Sequence, residues 1–370
     1  MKNHSQTIIF ISNPFGYGPT GTLIPIIKEF EQNTNCETIF LGSKNCLEII
    51  NSNDNDWERL KIIKINERNI NILKRFFKSS KKPLFVISSL NRFAIQASDQ
   101  LGIKNAMIDP LGWFWSKIPK GFELSDIYFY NNFGKDNIKN GRICIEIPLI
   151  VTNSKHKTNK NLVIFNIGGS SNPLVKGLQK NYLKLLLYLI TNIDKNIQST
   201  IKVVGGGKAI NFLKKNKDIG CMCNFSSLSY FDFEKEIKKS SLVITPAGMG
   251  ATFSSIHLSK PTIIFLAQNL SQIKLEEILT YRNINKLNMN WSNYFELNSS
   301  NISEKESIKL IDELSFEALE NKNILDKILI DLKDLIQKSN TIKIEKMNVA
   351  GIKFGGEKVV FNKLKAYWNL

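Results

Sequence analysis

The chain has 370 residues, 42% hydrophobic and 22% charged, which is enough for two domains of ordinary size and is the balance of a soluble globular protein. Its formal charge of +17 admits an anionic partner such as nucleic acid or a membrane surface, but the lysines are spread along the chain and form no tract. No apolar run approaches the ~20 residues of a membrane span, the N-terminal apolar run is only a strand long, and the five cysteines and three histidines complete no zinc-ligand pattern, so the expectation is a cytoplasmic protein with no metal.

"TIIFIS" (7–12) is an apolar run of strand length. The Gly- and Pro-rich "NPFGYGPTG" follows, and then "TLIPIIKEFEQ" with apolar residues at helical spacing. "ETIFLGS" (37–43), "PLFVISS" (83–89), "NAMID" (105–109) and "DIYFYN" (126–131) are further buried strands. "KRFFKSSKK" (74–82) is the densest basic cluster, either a solvated helix end or a patch for an anionic partner. Near-continuous apolar strands alternating with helices imply a parallel sheet covered on both faces.

The stretch 147–161 is polar, charged and without periodicity, and reads as a linker. "LVIFNIGGSSNP" (162–173) then opens a second α/β unit, in which "STIKVVGGG" (199–207), "SLVITPAG" and "PTIIFLAQ" supply more strands. Residues 304–340 read as charged helix, and the tail ends on an amphipathic helix carrying Val359, Val360, Leu364, Trp368 and Leu370. The expected organisation is a first domain over 1–150, a second over 161–350, and a terminal helix over 351–370.

Three Gly-rich strand exits belong to the second domain: Gly168-Gly169-Ser170, Gly205-Gly206-Gly207 and Ala247-Gly248-Met249-Gly250. A helix start exposes unpaired N–H groups and the positive end of its dipole, and small residues let a ligand come close. That combination suits a phosphate. An ordinary β–α turn accounts for any one of these exits equally well, so their weight lies in occurring together at one edge of a sheet, where open α/β sheets bind ligands.

Taken together, the tandem α/β halves, the late "IT-x-x-G-x-G-x-T" turn and the polar "Q-x-x-x-Q" loop resemble glycosyltransferases of the GT-B fold, in the branch of nucleotide-sugar-dependent enzymes. "FGYGPTGTLIP" supports this, because Gly21 to Pro25 occupies the place of the family's G-H-x-x-P pattern. More narrowly, "IDPLGWFWSKIP" (108–119) is similar to a segment of cytosylglucuronate synthases, which join glucuronic acid from its UDP ester to cytosine. The resemblance implies two Rossmann-like domains facing across a cleft, with the C-terminal helix crossing back to the first. It implies no metal and no cofactor, only a nucleotide-diphosphate sugar, UDP-linked, as co-substrate.

Several customary side chains of the family are replaced. Its histidine base falls on Thr22, its diphosphate-binding histidine on Pro246, an acidic ligand on Ser254, and the acid of its late D-Q pair on Ser271, with Gln272 retained.

On this reading the donor site comprises Gly168, Gly169, Ser170, Gly205, Gly206, Ala247, Gly248, Met249, Gly250, Thr252, Gln268 and Gln272. Main-chain amides at 248–250 stabilise the leaving diphosphate, and the two glutamines reach sugar hydroxyls or are plain loop residues. Asn13, Gly16, Gly18, Thr22, Trp113 and Trp115 would meet the acceptor, the tryptophans as stacking surfaces or as core. Asp109, at a strand end, is the candidate base, with a turn-forming role the alternative. His257 reads as a buried, hydrogen-bonded residue. The activity expected is glycosyl transfer to a small molecule. The alternatives are a transferase acting on DNA or a lipid carrier, favoured by the charge, and an inactive binding protein, favoured by the replaced side chains.

Overall fold

Alternation of strands and helices persists through almost the whole chain in the computed structural model, which describes residues 6–50, 57–80, 84–133, 143–151, 162–169, 174–175, 177–198, 200–297, 302–339 and 352–370. By its contacts the chain divides into two units, Met1–Thr152 with Gly351–Leu370, and Asn153–Ala350. Most of the linker reading, 152–161, lies outside the described residues, as does Ser170.

The first unit runs β1 (Thr7–Ser12), α1 (Gly18–Asn33), β2 (Glu37–Gly42), α2 (Lys44–Ile50), β3 (Lys61–Lys64), α3 (Ile70–Ser79), β4 (Leu84–Ser89), α4 (Arg92–Asp99), β5 (Asn105–Asp109), β6 (Ile127–Tyr130) and β7 (Ile143–Glu146). The strands form one seven-stranded sheet in the order β3-β2-β1-β4-β5-β6-β7, every described pairing parallel. Period-two alternation sorts the central strands between two cores. Ile9, Ile11 and Val86 face Leu73, Phe77, Ala94 and Ala97 of α3 and α4, while Phe10 meets Phe30 of α1 on the other face. Asn69 and Asn91 start α3 and α4 by accepting two backbone amides each with their side chains.

The second unit runs β8 (Val163–Asn166), α5 (Lys180–Thr191), α6 (Lys195–Gln198), β9 (Ile201–Val204), α7 (Gly207–Asn216), β10 (Asn224–Ser226), α8 (Tyr230–Lys239), β11 (Leu242–Pro246), α9 (Ala251–His257), β12 (Thr262–Phe265), α10 (Leu270–Tyr281), α11 (Glu304–Glu320) and α12 (Lys322–Ser339). Its five strands are also parallel, in the order β10-β9-β8-β11-β12. The apolar run "KLLLYLI" lies in α5, and its leucines join the core of this unit. The charged stretch expected as helix is two helices. Asn321 divides them because its carboxamide oxygen accepts the amides of Asn323 and Ile324 and so starts α12.

The last helix, α13 (Gly356–Trp368), returns to the first unit. Val360, Phe361, Leu364 and Trp368 are its buried face, with Phe361 edge-on to Phe30 and Trp368 stacked on Phe85 at 4.7 Å. Val359, expected on that stripe, is half-buried instead.

Candidate functional site

In a doubly wound sheet the strand order reverses at one place, and the two connections leaving that place in opposite directions open a crevice at the carboxyl ends of the strands. In the second sheet the reversal falls between β8 and β11. The exits at that point are Ile167–Gly169 and Ala247–Gly250, two of the three Gly-rich segments read from the sequence. The third, Gly205–Gly207, is the neighbouring exit from β9.

The glycines differ in purpose. A Cβ on Gly205 would lie 2.3 Å from Ile167 Cγ1, and one on Gly206 would lie 2.2 Å from the Gly169 carbonyl oxygen. The Gly206 amide donates to the Gly168 carbonyl at 2.9 Å. Contact between two loops therefore accounts for both residues without a ligand. Gly168 needs its missing side chain for conformation, with φ +63°. Gly248 and Gly250 have neither reason. A Cβ on Gly250 would meet nothing within 4 Å, and one on Gly248 only the Pro246 carbonyl oxygen at 3.8 Å, with no left-handed φ at either. Their smallness keeps space open.

The turn between β11 and α9 is held from beneath. Thr252 is fully buried, and its hydroxyl accepts the Gly248 amide at 3.0 Å. Asn166 joins the two exits by donating to the Thr245 hydroxyl at 3.0 Å, and its oxygen accepts the Gly168 amide. The Gly248 amide is thus already used. Among the described residues no protein acceptor takes the amides of Met249, Gly250 or Ala251, and Gly250 is exposed. The open donors are displaced one residue along the chain from the 248–250 set read from the sequence. Ala247 is buried below them.

Both glutamines are engaged in protein bonds. Gln268 donates its carboxamide to the Ile167 carbonyl at 2.9 Å, and Gln272 accepts the Gln268 amide at 2.6 Å. Ser271 donates its hydroxyl to Glu304 at 3.1 Å, and its amide bonds the same carboxylate. Burial raises the Glu304 carboxyl above its ordinary value. An acid from α11 thereby stands at the α10 start, where the sequence has serine; a contact between residues 33 positions apart is invisible to a motif reading. Ser254 is buried within α9. His257, in the last turn of α9, is half-buried, and burial lowers its pKa.

In the first sheet the reversal falls between β1 and β4. Asn13 binds these exits together, its amide donating to the Ser89 carbonyl and its carboxamide to the Leu90 carbonyl, both at 2.9 Å. Gly16 has φ +56°, and a Cβ on Gly16 or on Gly18, the first residue of α1, would meet nothing within 4 Å. Thr22 donates its hydroxyl to the Gly18 carbonyl at 3.0 Å, inside the helix.

Asp109 ends β5 with no exposed surface. One carboxylate oxygen accepts the Leu111 amide at 2.7 Å, and the other accepts the Tyr128 hydroxyl at 2.5 Å and the Trp115 indole N–H at 3.1 Å. Burial pushes its pKa up to about 6, against the pull of these three donors. Trp115 is half-buried and oriented by that bond. Trp113 is core, 2% exposed, with its indole donating to the Pro110 carbonyl. Among the described residues no group of three or more His, Cys, Asp or Glu is arranged to hold a metal ion, and no helix is long and apolar enough to cross a membrane.

No protein-family model matches the chain, nor does any curated protein. Solved structures do. S. aureus MnaA in complex with UDP is 13% identical over 99% of this chain and 97% of its own, with a TM-score of 0.53. A UDP-glucosyltransferase from Polygonum tinctorium capable of glucosylating indoxyl is 12% identical over the whole of both chains, with a TM-score of 0.50. The spinosyn rhamnosyltransferase SpnG, complexed with thymidine diphosphate, is 10% identical over 90% of this chain and 96% of its own, also at 0.50. The likeness is one of fold. Two parallel sheets flanked by helices make this chain a GT-B-type α/β protein.

Proposed function

We propose that the chain is a glycosyltransferase that moves a sugar from a UDP-linked donor to a small-molecule acceptor, with cytosine or another nucleobase as one candidate. One observation carries this reading: among the described residues the amides of Met249, Gly250 and Ala251 are uncommitted, at a turn where Gly250 is exposed and neither glycine is required by packing or backbone conformation. A diphosphate offers the acceptors such a turn lacks, and its charge grows as it leaves, so donors fixed in advance stabilise the transition state more than the ground state. The nucleotides named with two of the similar structures, UDP and thymidine diphosphate, are consistent with it.

In this reading the second unit holds the donor through its β8/β11 exits, and the acceptor binds at the β1/β4 exits of the first. Asp109 is the proposed base. The proton it takes would pass by way of the Tyr128 hydroxyl, whose oxygen can accept a proton as it gives its own to the carboxylate, because the carboxylate itself is enclosed; the Trp115 indole, a donor only, holds the carboxylate in place. No cofactor enters beyond the nucleotide sugar. Localisation in the cytoplasm and a peripheral anionic partner for the +17 charge belong to the same proposal.

A thermal-shift panel of UDP, thymidine diphosphate, uridine and UDP-sugars tests it, because a ligand that binds only the folded state raises the melting temperature by mass action. UDP is expected to stabilise and uridine not to. Equal shifts from UDP and uridine, or no shift from any diphosphate, would remove the donor site.

A further inference from the structure

A buried polar cluster lies at the β1/β4 exits of the first sheet, and two of its atoms have no partner among the described residues. Ser12 and Ser89 are register partners on adjacent parallel strands, so their side chains share a sheet face. It is the α1 face, since the Ser12 hydroxyl lies 2.7 Å from the Thr20 hydroxyl in the first turn of α1 and donates to Cys46 Sγ of α2 at 3.4 Å. Asn91 donates to the carbonyls of both Ser12 and Glu67, drawing the segment after β3 over the same edge. Glu67 is 1% exposed. One of its carboxylate oxygens accepts the Ser43 hydroxyl at 2.6 Å. The other, Oε2, has no hydrogen-bond partner among the described residues, and neither has the Ser89 hydroxyl.

An unpaired buried carboxylate oxygen is costly, and folded proteins keep few of them. This one sits where an open α/β sheet takes its ligands, next to a loop whose Gly16 and Gly18 leave room. Among the described residues no Lys or Arg forms an ion pair with it; burial raises its pKa, and the Arg68 charge opposes that only in part. We propose that Glu67, with Ser89 at the same sheet edge, forms an acceptor-recognition site for a group rich in N–H donors: an amine, an amidinium or the amino edge of a heterocycle. Such a group supplies the missing donor to Oε2, and a cationic one also offsets the buried charge. A phosphate, sulfate or carboxylate would meet like charge and be rejected. The proposal rests on the acceptor binding to this unit, and it narrows that acceptor to an amino-bearing one.

The test uses the full chain and three probes, guanidinium at low millimolar concentration, cytosine and adenine, with sodium chloride matched throughout. Melting temperature and calorimetric Kd are read for the parent and for Glu67→Gln, which keeps the shape but offers an N–H₂ or an uncharged oxygen. Stabilisation of the parent by at least one probe, weakened tenfold or more in Glu67→Gln, is the expected result. Equal binding to both proteins, or no binding of any probe to the parent, overturns the proposal. Should Glu67→Gln fail to fold, judged by circular dichroism, Glu67→Asp and Ser89→Ala give the same comparison with the same two outcomes. UDP is titrated in parallel against every variant. Its binding reports the donor site in the other unit, so loss of UDP binding and loss of probe binding are separate failures.

Discussion

Replacing either open glycine with valine separates ligand binding from stability. At Gly250 a new Cβ meets nothing within 4 Å, and at Gly248 it meets one carbonyl oxygen at 3.8 Å, an ordinary contact. Neither residue has a left-handed φ, so a β-branched side chain introduces no backbone strain. Gly250 is the residue before α9, where valine caps less well than glycine at a cost of under about 1 kcal/mol. That lowers the melting temperature by at most about 2–4 °C in a domain of this size. Binding suffers far more. The isopropyl group stands over the open amides of Met249, Gly250 and Ala251, and a hydrogen bond from such an amide to a charged group is worth about 1.5–3 kcal/mol. Denying a diphosphate two of the three costs about 3–6 kcal/mol, or about 10²- to 10⁴-fold in Kd. Calorimetry of UDP against the parent, Gly248→Val and Gly250→Val reads this directly. An unchanged Kd in both variants refutes the phosphate assignment, and a collapse of the melting temperature refutes the claim that these glycines exist to leave space.

Gly206→Ala gives the opposite profile: its Cβ would lie 2.2 Å from a carbonyl oxygen, so overpacking should cost about 1–3 kcal/mol in denaturant melts of the second unit. Asp109→Asn should abolish transfer while leaving UDP binding intact, and unchanged turnover would take Asp109 out of the mechanism. Because its folded pKa is raised to about 6 from 3.8, ionising Asp109 costs the folded state about 3 kcal/mol, absent below pH ~4 and complete above pH ~6. The stability of Asp109→Asn relative to the parent should therefore improve by that amount between pH 4 and pH 7, and a flat difference would contradict the burial argument. Trp368→Ala removes a 2% exposed ring stacked on Phe85 and should cost about 3–5 kcal/mol in unfolding of the first unit, measured by loss of near-ultraviolet circular dichroism.

Local sequence was informative wherever burial is continuous. "TIIFIS", "NAMID" and "LVIF" read as strands because both of their faces are covered, and each is a strand within a residue of its expected bounds. The short strands β3, β7 and β10 were missed for the converse reason. They end the sheets or pair near their ends, run only three or four residues, and alternate little, as in "KIIK" with both lysines exposed. Site composition was legible as glycines, and site geometry was not. Nothing in "VVGGG" and "PAGMG" distinguishes a glycine that packs against a carbonyl from one that leaves space open. Nor does sequence show that Thr252 consumes the Gly248 amide, that Gln268 is tied to the Ile167 carbonyl, or that Asp109 accepts from Tyr128 nineteen residues away.

The sequence by itself determined the alternation of strands and helices and the strand exits at which small residues gather, because apolar period and turn chemistry are local properties. Only the tertiary structure decided the strand order, and with it the points of reversal at β8/β11 and β1/β4, where Asn166 ties Gly168 to Thr245 and Asn91 ties Glu67 to Ser12. Those neighbours come from pairings between distant segments, and hydrogen-bond satisfaction, which separates a committed polar group from an available one, exists only once such segments meet.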